Sequence, residues 1–346
     1  MSSVDRRDFI KTSGAAAAAA AAVGSFPWAG QTVAAPALVA DDGTIPPQRV
    51  QILYGLHAYT DKLSVEPGEE IQFHATSTVP YSLSVCRLGE EVDDPAGDQV
   101  LKEFAQSPPR MQPIRPGSYI HVENGLDADK PIEAITIECW LRPYLSDTSS
   151  GIVTQFDLPQ VCGFGLFLNP NYRVSFYLGA GGQYEPAQLH HTAENTLQRN
   201  QWHHVVARWD GQEKTVWVDG KQIAAWPFTG SVRAGDSPLR LGARGDWGEA
   251  FRLLDADMAM PVIYDAALSD EAIQSRYADK ALTQPQGDQL LACWPLYEER
   301  GSAVADISGN GRHGKIVNRG TWMIGGPSFD TASVPRWGDY DPRKDP

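Results

Sequence analysis

A short polar loop near the C-terminal end of the chain carries residue types that bind calcium. Residues 306–310 read Asp-Ile-Ser-Gly-Asn, and they offer carboxylate, hydroxyl and amide oxygens close together. Hard cations such as calcium prefer oxygen ligands of this kind. Asp306 and Asn310 are therefore candidate ligands, and Asp257 is a third from an earlier segment. A tight Asx turn explains the same residues without an ion, so calcium is one of two open interpretations.

Three tyrosines form a second candidate site. Tyr172, Tyr177 and Tyr184 lie close together in the sequence and are interspersed with asparagine and glutamine. Aromatic rings stack on apolar faces of a ligand, while a phenolic hydroxyl donates or accepts a hydrogen bond. The pattern is suited to a sugar, and it is also ordinary for a surface loop. We keep the three tyrosines as candidate ligand-binding residues.

No motif in the chain predicts catalysis. There is no Gly-x-Ser-x-Gly elbow, no phosphate-binding glycine-rich loop and no dinucleotide fingerprint. The two histidines at 190–191 are neighbours in a strand, as are those at 203–204, so the two rings of each pair point to opposite faces. Neither pair can therefore chelate zinc through both rings. Glu133 and Glu138 also fall on opposite faces, unlike the paired carboxylates of a retaining glycoside hydrolase. We therefore predict no catalytic residue.

The composition excludes some partners. The chain has 346 residues and a formal charge of −14, with no basic run. An acidic surface repels nucleic acid and anionic membranes, so neither is an expected partner. No segment reaches the length and hydropathy of a transmembrane helix. The four cysteines contain no CxxC pair, which favours buried thiols and leaves one disulfide open.

The first residues predict export. Residues 5–11 read Asp-Arg-Arg-Asp-Phe-Ile-Lys, and an alanine-rich stretch follows up to a cleavage site near residues 35–37. This order resembles the twin-arginine export signal, which we assign to residues 1–37. The resemblance implies export of a folded protein to the periplasm or the extracellular space. Residues 38–52 then read as a linker.

The rest of the chain predicts an all-β protein. Short apolar stretches at 59–65, 71–77 and 81–88, the first two separated by a Glu-Pro-Gly-Glu turn, predict a small β-meander. With a Pro-rich loop it fills residues 53–117. One helix is expected at 270–280, capped by Ser269. Asp219-Gly220 predicts a two-residue hairpin turn. Further strands are predicted at 119–122, 135–142, 151–156, 163–168, 173–178, 203–209, 215–218, 221–225, 239–243 and 257–264.

A series of strings between residues 118 and 280 resembles a concanavalin-like (laminin-G-like) jelly roll. They include Ile-Thr-Ile-Glu-Cys-Trp-Leu-Arg-Pro at 135–143, Trp-His-His-Val-Val at 202–206 and Val-Trp-Val-Asp-Gly at 216–220. We assign residues 118–325 to this β-sandwich. The alternation of Trp140, Trp202 and Trp217 with polar neighbours predicts that these side chains fill the space between two sheets.

One part of the jelly-roll pattern lies in an unexpected place. Trp-Pro-Leu at 294–296 and the loop at 306–314 resemble the first segment of many such domains, but here they follow the helix. We therefore predict a circularly permuted sandwich whose first strand comes from residues 290–318.

The order of parts over residues 52–346 resembles the N-terminal region of the N,N-dimethylformamidase large (beta) subunit family. The resemblance implies a relationship to proteins in which Tyr and Glu side chains of a later domain hold an iron centre. No residue of this chain can be matched to those ligands. Residues 326–346 are charged and Pro-rich, and we interpret them as a tail or linker.

Two functions are compatible with these patterns. The chain is expected to be an exported, non-catalytic binding or scaffolding module whose partner is a polysaccharide or a protein domain. Alternatively, it is the accessory N-terminal region of an amide hydrolase that acts with a catalytic iron domain or subunit.

Overall fold

The computed structural model describes residues 46–50, 54–90, 95–111, 115, 117–323 and 326–327. The export signal predicted at 1–37, the linker residues 38–45 and the tail from residue 328 onward lie outside the described residues. The predicted linker nevertheless has an anchored end. The Arg49 amide donates to Ala250 O at 2.9 Å, and the Arg49 guanidinium lies 2.5 Å from the Asp246 carboxylate.

The described chain consists almost entirely of strands. The strands preceding the sandwich are β1 (Leu56–Thr60), β2 (Phe73–Ser77), β3 (Ser84–Arg87) and β4 (Gln99–Glu103). The first strands of the sandwich are β5 (Tyr119–Val122), β6 (Pro131–Ile132), β7 (Ile135–Leu145), β8 (Ser150–Asp157), β9 (Cys162–Asn169), β10 (Arg173–Ala180), β11 (Leu189–His191), β12 (His203–Trp209) and β13 (Glu213–Val218). The later strands are β14 (Lys221–Pro227), β15 (Val232–Arg233), β16 (Leu239–Leu241), β17 (Arg244–Asp246), β18 (Glu249–Phe251), β19 (Asp255–Tyr264), β20 (Leu290–Cys293), β21 (Ala303–Val304) and β22 (Gly314–Val317).

Two large antiparallel sheets form the sandwich. The eight-stranded sheet has the order β11-β10-β9-β8-β16-β5-β22-β21, and the six-stranded sheet has the order β14-β13-β12-β7-β19-β20. Strand β7 shows how the two sheets meet, because its side chains alternate between faces. Ile135, Ile137, Cys139 and Leu141 enter one shared apolar core that also contains inward residues of β8, β9 and β10. The predicted concanavalin-like sandwich is confirmed.

The structure contains the hairpin turn and the capped helix that local sequence signals predicted. Asp219 and Gly220 have φ values of 53° and 73° and connect β13 to β14, as the two-residue hairpin turn requires. Helix α1 spans Asp270–Asp279, and the Ser269 side chain accepts a hydrogen bond from the Ala272 amide at its N-terminus.

The prediction for two of the tryptophans was wrong. Trp140 and Trp217 do not lie between the sheets but on the outer face of the six-stranded sheet, where α1 covers them. The Trp140 and Tyr277 rings are stacked at 5.9 Å, and Ile273 packs with Trp217. Trp202 packs with Trp140 in this outer cluster. The strand period places these residues opposite the core residues, and only the helix makes their face buried.

A buried carboxylate attaches α1 to this outer face. Glu138 Oε1 lies 3.0 Å from Arg276 Nη2 of the helix and 3.2 Å from His204 Nε2 of β12. The Tyr264 hydroxyl donates to Glu138 Oε2 at 3.1 Å. Burial raises the pKa of Glu138, but the hydrogen bonds with His204 and Arg276 and the positive charge of Arg276 outweigh burial, and the net pKa is lowered. Glu138 is therefore an ionised group whose partners come from three different elements.

A buried lysine connects the two sheets. Lys214 of β13 is fully buried, and its ammonium donates to Ala187 O at 2.9 Å and to Gln188 O at 3.1 Å, beside strand β11. The Phe228 ring lies 4.6 Å from Nζ. Burial lowers the pKa of Lys214 to about 7.

Residues 290–318 reach both sheets. Strand β20 pairs with β19 at the edge of the six-stranded sheet, and β22 pairs with β5 in the eight-stranded sheet. The segment thus supplies one neighbour to β19 and one neighbour to β5, the first strand of the sandwich. Circular permutation itself stays a prediction.

The segment before the sandwich differs from the predicted three-strand meander. Strands β1 and β2 pair with each other, and β3 pairs with β4, so the described residues form two separate two-stranded sheets. Strand β4 lies within residues that were predicted to be loop, because its sequence Gln-Val-Leu-Lys-Glu lacks clear alternation. We call the described residues between 54 and 111 the N-terminal module.

We expect Glu138→Gln to lower the free energy of unfolding by about 3 kcal/mol, because it leaves Arg276 and His204 buried without a carboxylate. Glu271→Gln, on the exposed side of the same helix, is the matched control and should change it by less than about 0.5 kcal/mol. Urea unfolding of both variants measures the difference. Equal stability of the two would show that Glu138 does not hold the helix.

Lys214 predicts a rise in stability with pH. Its ordinary pKa is 10.5 and its folded pKa is about 7, so between these values the unfolded chain binds one proton more than the folded chain. Relative to Lys214→Met, wild-type stability should therefore increase from about pH 7 to about pH 10, by up to about 1.4 kcal/mol per unit. Denaturant unfolding across this range, with exposed Lys221→Met as control, measures it. A difference that is flat with pH would refute it.

Candidate functional site

Two of the three candidate tyrosines come together in one pocket. Tyr177 and Tyr184 both line a cavity of about 250 Å³ on the outer face of the eight-stranded sheet, the face turned away from the core. Tyr184 is about half exposed at the edge of the cavity, whereas Tyr177 is buried. We call this cavity the aromatic pocket.

The floor of the aromatic pocket is built by four adjacent strands. Phe156 of β8, Phe167 of β9, Tyr177 of β10 and Leu189 of β11 form one apolar cluster. Phe167 and Tyr177 point outward because their neighbours along the strands, Leu166, Leu168, Phe176 and Leu178, point into the core. The Phe156 ring makes edge-to-face contacts with Tyr177 at 4.7 Å and with Phe167 at 5.6 Å. The floor is therefore a packed aromatic surface.

Two glycines make room for these rings. A Cβ atom at Gly165 would lie 2.3 Å from Phe167 Cζ, and one at Gly179 would lie 2.2 Å from the Tyr177 hydroxyl. Both distances are shorter than a van der Waals contact, so each ring occupies the space above a glycine of its own strand. The spacing of an outward aromatic residue two positions from a glycine is thus what lets the rings lie along the sheet.

The walls of the pocket add a cation and two more apolar side chains. Leu158 and Val161 belong to the turn between β8 and β9, and Ser149 and Arg244 lie on the other side. The Arg244 guanidinium lies 5.2 Å from the Phe156 ring centroid and 5.7 Å from the Phe167 centroid. Arg244 is therefore held above the aromatic floor by cation–π contacts.

The Tyr177 hydroxyl is buried and has no hydrogen-bond partner among the described residues. Burial raises the pKa of Tyr177, and the neighbouring Cys162 and Tyr184 add to the rise while Arg244 opposes it. The hydroxyl therefore keeps its proton and has an unused donor next to the pocket.

Tyr172 lies elsewhere. Its ring packs against the core between the sheets, and its hydroxyl donates to Tyr144 O at 3.2 Å. The structure thus does not bring Tyr172 together with Tyr177 and Tyr184. The ligand-binding role of the three tyrosines stays a prediction.

Asp306 is saturated by hydrogen bonds from the protein. Its Oδ1 accepts from the Cys293 amide at 3.0 Å and the Ser308 amide at 2.9 Å. Its Oδ2 accepts from the Ser308 hydroxyl at 2.8 Å and the Arg312 amide at 2.9 Å. Asn310 turns its amide nitrogen toward Leu290 O, at 2.9 Å. This is the geometry of an Asx turn that fixes the 306–314 loop to β20.

Asp257, the third calcium candidate, has different partners. Arg142 Nε donates to its Oδ2 at 2.7 Å, and the Tyr144 hydroxyl donates to the same oxygen. Asp257 pairs with Arg142 of β7. Cys293, which donates to Asp306, pairs with Val262, five residues further along β19. The three candidate ligands are therefore not gathered around one point. Within the described part of the chain, no group of three His, Cys, Asp or Glu side chains could hold a metal ion. Calcium binding stays a prediction.

The sequence interpretation missed Phe156, Phe167, Leu189 and Arg244. A signal was present, since Phe167 and Tyr177 each lie two positions from a glycine on the same face of a predicted strand. Strands β8 to β11 are successive antiparallel neighbours, but β11, which carries Leu189, was not among the predicted strands. Arg244 enters from β17, whose position no local pattern predicts.

The two sheets and their shared core define a concanavalin A-like β-sandwich. In agreement, residues 116–274 match the family model described as the concanavalin A-like lectin/glucanases superfamily. Residues 3–23 match the twin-arginine translocation signal, so the chain is directed to export. Among the residues that the structure describes, no helix combines the length and apolar character needed to cross a bilayer.

Two curated relatives are N,N-dimethylformamidase beta subunits. The protein of Paracoccus aminophilus is 25% identical over 306 residues, and that of an Alcaligenes species is 22% identical over 306 residues. Both alignments cover 76% of this chain and 39% of the relative. The chain thus spans about two fifths of the length of the curated relatives that it matches. The sequence resemblance to this family is confirmed.

Solved structures also resemble the chain. A candidate carbohydrate-binding protein of Bacteroides ovatus is 13% identical, with a TM-score of 0.48, covering 79% of this chain and 71% of that one. Domain 4 of an extracellular arabinanase of Geobacillus stearothermophilus, in complex with arabinotriose, is 16% identical. Its TM-score is 0.33, and the match covers 45% of this chain and 71% of that domain.

We expect Asp306→Ala to lower the free energy of unfolding by about 3 kcal/mol, because it removes the acceptor of three backbone amides. Thermal unfolding measures the loss, and Asp288→Ala, in an exposed turn, is the control. The same measurement tests calcium. A rise in Tm with CaCl2 over EDTA that is lost in Asp306→Ala would support the calcium site. Two variants of equal stability would refute the structural role of Asp306.

Proposed function

We propose that the chain is an exported, non-catalytic binding and scaffolding module whose partner is another protein domain. The observation that carries the proposal is the exposed apolar surface of the N-terminal module. Leu63 is 93% exposed, Tyr54 83% and Tyr59 63%. Other large apolar side chains of the module that are exposed are Leu56, Val65, Phe73, Val79, Leu88, Val100, Leu101, Phe104 and Met111.

The module has no core of its own to compensate for this exposure. The buried apolar residues of the described chain run from Tyr119 to Val317, all within the sandwich. Two-stranded sheets are marginally stable in water unless a third strand or another element packs against them. A high density of large exposed apolar side chains in one segment is typical of an interaction site. A partner that covers the module would supply the burial that it lacks.

The resemblance to a longer protein indicates what kind of partner this is. The curated relatives are named beta subunits, and more than half of their length lies outside the alignment. We infer that the partner is a domain or subunit similar to that remaining part, which the family resemblance associates with an iron centre and amide hydrolysis. In this arrangement the present chain is an accessory region that contributes contacts and no reacting group.

Cross-linking of the natively purified protein tests the proposal. Lys62 and Lys102 lie in the N-terminal module, and Lys130 and Lys221 lie on the sandwich as internal controls. We expect links from Lys62 and Lys102 to a polypeptide that is similar to the uncovered part of a dimethylformamidase beta subunit. Links to such a polypeptide from the sandwich lysines alone would contradict the proposed docking surface.

A matched pair of variants sharpens the test. Leu63→Glu places a charge in the exposed apolar surface and should weaken association at least tenfold, because the carboxylate would have to be desolvated. Leu282→Glu makes the same change at a side chain that is 50% exposed on the sandwich and should leave association unchanged. Sedimentation or light scattering of each variant mixed with the partner polypeptide measures the two affinities. Equal affinities of the two variants would refute docking through the module.

A carbohydrate is the second candidate partner, and the aromatic pocket is the observation that favours it. A sugar ring has an apolar face that packs on aromatic side chains, as the pocket floor would allow. The family model that matches residues 116–274 also takes its description from lectins and glucanases. Titration with cellotriose, followed by tyrosine fluorescence, tests this candidate, and no change at millimolar sugar would contradict it.

A further inference from the structure

Arg244 brings a cation with few partners to the aromatic pocket. Its guanidinium carries five N–H donors, and its one hydrogen bond among the described residues runs from Nη1 to Ser149 Oγ at 3.4 Å. It forms no ion pair with any described carboxylate. Asp246, two residues further along β17, is already paired with Arg49 at 2.5 Å. Most of the hydrogen-bonding capacity of Arg244 is therefore unused by the protein.

The surroundings strengthen the field of this cation inside the pocket. The floor and walls consist of Phe156, Phe167, Tyr177, Leu189 and other apolar side chains, which lower the local dielectric. Burial lowers the pKa of Arg244, and the charge of Arg252 adds to this while Asp246 opposes it. An arginine nevertheless stays protonated at neutral pH, so the pocket keeps a positive charge.

We propose that the aromatic pocket binds a compact organic anion, with a carboxylate on Arg244 and an apolar body, such as one aromatic ring, on the floor of Phe156, Phe167, Tyr177 and Leu189. The guanidinium fork matches a carboxylate in two parallel hydrogen bonds. The unpartnered Tyr177 hydroxyl is a further donor beside the pocket.

The size and charge of the pocket define the ligand class. A cavity of about 250 Å³ lies below the range of pockets that hold drug-sized molecules, so one ring-sized body is what it admits. A cationic ligand would meet Arg244 at close range. A neutral ligand of equal size would fill the floor but leave the guanidinium donors without a charged partner. This inference does not depend on docking through the N-terminal module.

A pair of ligands that differ in charge but not in shape tests the proposal. Phenylacetate and phenylacetamide are titrated into residues 38–346, the chain without its predicted export signal, by calorimetry at pH 7. We expect phenylacetate to bind at least tenfold more tightly than phenylacetamide, because only the acid makes a charge-assisted pair with Arg244. Equal affinities would overturn the proposal. So would the absence of phenylacetate binding at millimolar ligand in about tenfold excess over the protein.

Variants assign the effect to the pocket. Arg244→Gln should abolish the preference for the acid, whereas Arg233→Gln, an exposed arginine on β15, should keep it. If Arg244→Gln does not fold, Arg244→Lys retains the charge, loses the planar fork and should reduce the preference. Tyr184→Ala, at the edge of the pocket, should weaken both ligands by a similar factor. A preference for the acid that survives in Arg244→Gln would place the binding site elsewhere and refute the proposal.

Discussion

The apolar layer between the two large sheets determines where every other side chain of the sandwich can point. Once Ile135, Ile137, Cys139 and Leu141 enter that layer, the alternating residues of β7 must face outward. The same constraint on β8, β9 and β10 turns Phe156, Phe167 and Tyr177 to the outer face of the eight-stranded sheet. Both the helix-covered surface and the aromatic pocket are consequences of closing one core.

The two outer faces pack their large aromatic side chains in different ways. On the six-stranded sheet, helix α1 covers Trp140 and Trp217, and the ion pair of Glu138 with Arg276 fixes the helix there. On the eight-stranded sheet no helix covers the rings among the described residues. Instead the rings lie over glycines and pack on one another, which leaves a cavity above them. The face without a covering helix is therefore the one that carries the aromatic pocket.

Much of the sandwich could be predicted from local sequence, because strand periodicity, the Asp219-Gly220 turn and the Ser269 cap are short-range signals. The fold class followed from their order. What could not be predicted depends on non-local pairing. The position of Trp140 required knowing where the helix docks, and the wall of the pocket required knowing that Arg244 of β17 lies beside Phe156 of β8. Arg244 comes from a third part of the chain and has no local signature.

The same physical criterion separates the sandwich from the N-terminal module. Strands of the sandwich bury one or both faces, and even its buried ionisable side chains, Glu138 and Lys214, have partners from other elements. Strands β1 and β4 have the hydrogen bonds of a ladder but hardly any buried side chain. Backbone pairing alone contributes little net stability in water, since the unfolded strand pairs with water instead. Tyr59 and Phe73 on these strands and Leu63 in the loop between them are exposed, and the proposed partner domain would cover them.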